Sequence, residues 1–212
     1  MMRVTGSERS SVAPSRREAH ERLTSLRRHT APYHDKLERT VDIHDRLGSS
    51  NRYADLLARL YGFYEPFEAE LDRAVTRWEL PIDVDARRKV PLIACDPAAL
   101  GSPHSAVDSL PRCVGLPRPT SPAIALGCLY VIEGATLGGR IIARQVERRL
   151  GFGLRDGASF FHGYGDDTGP RWQAFCSLIA TVSCSTAAED AILAGAIETF
   201  IAYDRWLEDA RA

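Results

Sequence analysis

The chain has 212 residues, 44% of them apolar and 26% charged, with 27 basic against 28 acidic side chains. That is an ordinary globular composition, long enough for one well-buried core and short for two domains, and so nearly neutral that nothing global invites nucleic acid. The longest uncharged apolar run, residues 123–132, is about half of the 18 or so residues a membrane span needs, and the first 17 residues lack the apolar segment of a secretory signal. A cytoplasmic protein with no membrane partner is expected.

Residues 1–15 are polar and read as a frayed tail, leaving 16–212 for a single domain. A helical pattern starts at Arg16 and continues through Leu23, Leu26, Leu37 and Val41. Pro32 is expected to kink or restart it, with Thr30 as a candidate cap. Residues 1–40 hold nine Arg or Lys against five Asp or Glu, which suits an anionic small ligand and equally a solvated arginine-rich face. A second long helix is expected from Asn51 through Leu57, Phe63, Leu71 and Trp78, bending at Pro66. Residues 83–100 read as a short helix interrupted at Pro91, followed by a loop through Pro103, Pro111, Pro117 and Pro119.

Residues 127–151 then read as one long amphipathic helix that is poorly built for stability on its own. Glycine inside a helix costs about 1 kcal/mol relative to alanine, and Gly134, Gly138 and Gly139 fall within two turns. A side-chain-free helix face serves close approach to another object. Tyr130, Gly134 and Gly138, one turn apart, form such a stripe, facing either a neighbouring helix or a flat ligand. A turn-rich connection at 153–169, a helix from Pro170 to about Val182 and a last helix capped by Ser185 complete the chain. No segment alternates with the period of a strand, so the class is all-α.

Five cysteines (95, 113, 128, 176 and 184) are scattered without CxxC spacing, which argues for buried free thiols and against a disulfide framework or a zinc site. None of the six histidines pairs at the i, i+4 spacing of a helical zinc site, and no Glu-x-x-His occurs, which removes the usual mark of a di-iron bundle. His34 has the most suggestive surroundings. Glu38 lies one turn on, where a carboxylate can hold one ring nitrogen and leave the other for a metal. Arg27 lies two turns back if the helix runs through Pro32. The same residues would also make an ordinary surface charge pair.

Three segments taken together, HTAPYHDKLE (29–38), YVIEGATLGG (130–139) and FFHGYGDDTGPRW (160–172), resemble the bacterial biliverdin-producing haem oxygenases in order and separation. The resemblance implies an all-α, haem oxygenase-like helical bundle. It implies His34 as the axial ligand of the haem iron, Glu38 as the partner of that imidazole, and Gly134 and Gly138 as the distal glycines on the oxygen side. Tyr130 would continue the haem-facing stripe, and Arg27 and Arg171 would serve the propionates. The implied reaction is opening of haem by O2 and reductant to biliverdin, carbon monoxide and iron. Its partners would be an electron donor of ferredoxin or flavin type (ascorbate in vitro) and a biliverdin-accepting bacteriophytochrome. One departure stands out. Many members place an aspartate directly after the first distal glycine, where this chain has Ala135, and Glu133 points about 100° away around the helix. A non-enzymatic protein of the same fold that holds haem or a related tetrapyrrole is the alternative that this departure suggests.

Overall fold

The computed structural model describes residues 16–99, 109–182 and 185–208, which are helical with short connections and contain no strand. The expected tail at 1–15, Pro103 and Cys184 lie outside the described residues. Helix α1 spans Arg16–Val41 without interruption, so Pro32 lies inside it and restarts nothing. Thr30 is no cap either, because its hydroxyl donates back to the carbonyls of Leu26 (2.9 Å) and Arg27 (3.2 Å). Proline removes one backbone donor, and burial of Leu26, Thr30 and Thr40 keeps the two halves of the helix together.

A four-residue helix, α2 (Ile43–Arg46), follows; the sequence reading passed over it. It is nucleated by Asp42, which sits at φ 44° and accepts a hydrogen bond from the Asp45 N–H. Helix α3 (Ser50–Arg77), capped by Ser49, runs through Pro66 and supplies much of the core with Tyr53, Leu56, Leu57, Phe63, Tyr64, Phe67 and Leu71. A 3-10 turn at Asp85–Arg87 leads into α4 (Val90–Ala99), where Pro91 is the second residue. This proline opens the helix, where its missing N–H costs nothing, and does not interrupt one.

Helix α5 (Pro122–Leu150) starts at a Ser121 cap and stops at Gly151, whose left-handed φ of 78° lets its N–H reach the Glu147 carbonyl at 3.0 Å. It is long and apolar enough to cross a membrane, although 61% of that apolar window is buried within the bundle, which accounts for its apolarity. The connection after it holds α6 (Ser159–His162) and a 3-10 turn at Gly165–Asp167. Helix α7 (Thr168–Val182) carries Pro170 in its first turn, and α8 (Thr186–Glu208) begins where Ser185 accepts a hydrogen bond from Ala188 N–H.

The spine of the bundle is α5 crossing α8. A Cβ on Gly127 would sit 2.0 Å from the Ile192 carbonyl oxygen, and one on Gly195 would sit 2.4 Å from that of Ile124, so the two backbones touch without side chains between them. Helix α1 also packs on α8 and on α7, but scarcely on α5. The two helices carrying the sequence motifs therefore both pack on α8 and on α7, and scarcely on each other. Cys113 and Cys128 are buried, but Cys176 is half-buried and Cys95 exposed, so burial of the thiols is only partly what was expected. Burial pushes the Cys128 and Cys176 thiols up to about 11, which leaves both protonated and unreactive.

Candidate functional site

Because α1 is continuous, Arg27, His34 and Glu38 share one face within about 40° of arc, all three exposed. The His34 ring lies with Nε2 3.8 Å from Glu38 Oε1 and Nδ1 3.7 Å from Asp35 Oδ1. Both distances are too long for hydrogen bonds, so neither nitrogen is committed. Its ring meets Phe200 of α8 edge-on, 6.1 Å between centroids. His29 differs: its Nδ1 lies 2.8 Å from the carbonyl oxygen of Ser25, one turn back in its own helix.

On α5, the glycines divide by what they face. Gly127 touches the α8 backbone, and a Cβ on Gly139 would meet the Phe161 carbonyl oxygen at 2.5 Å; these two serve packing. A Cβ on Gly134 would meet only the Trp172 ring at 3.7 Å, an ordinary contact, and one on Gly138 would meet nothing within 4 Å. Leu137 and Ile141 on the same side are 42% and 63% exposed. Tyr130, Gly134, Leu137, Gly138 and Ile141 thus form an apolar face that Trp172 of α7 covers at its Tyr130–Gly134 end and that is open at Gly138 and Ile141.

Tyr130 is half-buried, its ring 5.6 Å from that of Trp172 and its phenol near Thr30 and Arg27 of α1. Burial raises its pKa, against the smaller opposing influences of Thr30 and the Arg27 charge. Trp172 belongs to a motif noted in the sequence, but its role as the wall beside Gly134 was not foreseen. Arg171, next to it, is engaged with the Ala86 carbonyl, with Asp167 at 3.9 Å and with the Tyr164 ring at 4.4 Å.

Ala135 is exposed and offers no acid. Glu133 is buried, pairs with Arg87, and accepts a hydrogen bond from the Tyr164 hydroxyl at 2.7 Å. This cage, which also holds Lys89, left no local mark in the sequence beyond a lysine at the head of the apolar run VPLIAC.

A profile of the heme oxygenase family matches residues 21–87 and 96–209. The chain is 33% identical over 156 residues to a "Heme oxygenase" of Xanthomonas campestris pv. campestris (strain 8004), a match that takes in 71% of this chain and 86% of the relative. In fold it is similar to the heme oxygenase of Neisseria meningitidis, solved with NO and CO bound (TM-score 0.73, 20% identity, covering 89% of this chain and 91% of that one). It is also similar to that of Leptospira interrogans (TM-score 0.71, 19% identity, 89% and 98% covered).

Proposed function

The chain belongs to the haem oxygenase family, and from that premise we propose that it opens the haem ring with O2 and reductant, releasing biliverdin, carbon monoxide and iron. The observation that supports this reading most is the apolar face of α5 from Gly134 to Ile141, where a Cβ on Gly138 would meet nothing and one on Gly134 only the Trp172 ring. The residues around it suit a flat, apolar, anionic-edged molecule with a metal at its centre. His34 would hold the iron through whichever ring nitrogen does not face Glu38. Arg27, on the same face of α1, would meet a propionate, with Arg171 as a further candidate if its contact with the Ala86 carbonyl gives way.

Bound haem supplies both the iron at which O2 is reduced and the carbon skeleton that is oxidised. The protein's part is to orient and to exclude. Glu38, 3.8 Å from Nε2, would hold His34 in one tautomer and make it a better donor once the ring closes that distance. Gly134 and Gly138 let the α5 backbone come close enough to restrict where a small ligand on that side can point, and Leu137 and Ile141 keep bulk water from the same face. With Ala135 offering no acid and Glu133 turned inward, protons would have to reach the site through water held by backbone groups of α5. A ferredoxin- or flavin-type reductase as electron donor, a bacteriophytochrome as biliverdin acceptor and a cytoplasmic location complete the proposal.

The test is spectroscopic. Haemin-loaded protein given ascorbate in air is expected to lose its Soret band while biliverdin absorption rises. A Soret band that persists would make the chain a haem-holding protein, the alternative that Ala135 suggests, and failure to take up haemin at all would overturn both readings.

A further inference from the structure

The flank of α5, about 100° around the helix from Gly134, carries its one buried carboxylate, Glu133, in the position directly before that glycine. One of its oxygens pairs with Arg87; the other accepts the Tyr164 hydroxyl at 2.7 Å and lies 3.8 Å from the Lys89 ammonium. Lys89 is 1% exposed, donates to the Arg87 carbonyl at 3.0 Å, touches the Tyr164 hydroxyl and sits 3.7 Å over the Tyr164 ring. The backbone N–H groups of Lys89 and Val90 go to Glu68 on α3, and Arg171 of α7 stacks on Tyr164. One side chain of α5 is thereby tied to the α3–α4 connection and to the α6–α7 connection at once.

We propose that Glu133 is a positioning residue for the haem reaction, fixing the rotation of α5 about its own axis so that Gly134 and Gly138 keep their place on the face where haem would lie. This rests on the function proposed above. The front of the C-terminal half of α5 is bare, so nothing there resists a roll of the helix. Resistance comes from the packed sides, where Gly127 on the α8 backbone and Gly139 on Phe161 limit sliding, and where a buried carboxylate cannot leave its cations and phenol without stranding charge. Glu133 and Gly134 are neighbours about 100° apart on the helix, so whatever holds the first aims the second. A displacement of the distal backbone by about 1 Å is enough to spoil reactive geometry.

Two variants test this with haemin, ascorbate and air as the assay. Glu133→Gln keeps the shape and removes the charge. Tyr164→Phe removes the hydroxyl's hydrogen bonds to Glu133, Lys89 and the Arg87 carbonyl while leaving Glu133 paired with Arg87 and Lys89, and it keeps the test alive if the first variant fails to fold. In folded Tyr164→Phe we expect faster hydrogen exchange at the amides of residues 134–138 without haem, an almost unchanged KM, a kcat lowered about tenfold, and a broader mixture of biliverdin isomers, since a rolled helix no longer directs attack to one ring position. A purely structural role would lower the melting temperature and leave exchange at 134–138, kcat and isomer ratio per folded molecule as in the wild type, and that result would overturn the proposal. The exchange measurement needs no haem, so a wild-type protein that binds but does not open haemin would sink the function while exchange still decides whether Glu133 anchors the helix.

Discussion

His34 and His29 stand on the same helix five residues apart, yet only His34 has both ring nitrogens free of hydrogen bonds and shares a face with Arg27 and Glu38. Replacing His34 by Ala is therefore expected to abolish the imidazole-ligated spectrum of the haemin complex and its turnover, while His29→Ala keeps both. The reverse pattern would identify the other histidine. Arg27→Glu is expected to weaken haemin affinity more than Arg17→Glu, whose side chain already pairs with Glu21 in the open, because the first both loses a charge-assisted bond and adds a repulsion. Equal effects in titrations at matched ionic strength would reduce the role of Arg27 to bulk charge.

The caged Lys89 gives a pH signature. Burial lowers its pKa from 10.5 to about 8. Between those two values the unfolded chain binds the proton more readily than the folded one, so stability should rise as pH climbs from about 8 toward 10. Above that, phenols such as Tyr64, held protonated by burial in the fold, ionise more easily in the unfolded chain and the trend should turn over. Urea unfolding across this range, in wild type and Lys89→Met, checks it: the variant should lose the rise. That Arg27, His34 and Glu38 share one helix face was legible in the sequence because helical spacing is local. The Glu133 cage was not, because its partners Arg87 and Tyr164 lie 46 and 31 residues away and only the fold brings them together.

At the scale of elements, α5 asks four glycines to do two different jobs. Gly127→Ala places a methyl 2.0 Å from a backbone carbonyl that cannot give way, and overpacking of this kind costs about 1–3 kcal/mol or more. Gly138→Ala meets nothing, so it should gain up to about 1 kcal/mol from better helix propensity in the haem-free protein. Thermal melts of the two variants should move in opposite directions. The stripe was visible in the sequence as a period, but which glycines pack and which stay bare depends on where α8 crosses, and no local pattern records that. Proline was misjudged for a related reason: a break at Pro32 and an interruption at Pro91 follow from backbone chemistry taken alone. Tertiary burial carries α1 through the first, and the second stands where a helix begins.

Over the whole molecule, α1 and α5 both pack on α8 and on α7 and scarcely on each other, and the Tyr130 phenol lies near Thr30 of α1. A histidine whose ring nitrogens make no hydrogen bond stands on α1, and on α5 a glycine face is open at Gly138. The fold class was legible in the sequence; which helices pack on both motif-bearing helices came only with the fold. The central claim is that the bare α5 face exists for haem, and Gly138→Leu tests it most directly, read as haemin turnover per folded molecule with ascorbate in air. The side chain has open space to enter, so the haem-free variant should melt no lower than wild type, while ring opening slows by an order of magnitude or more, roughly the loss seen when reactive geometry is displaced. Wild-type turnover in a Gly138→Leu protein of undiminished stability would contradict the account.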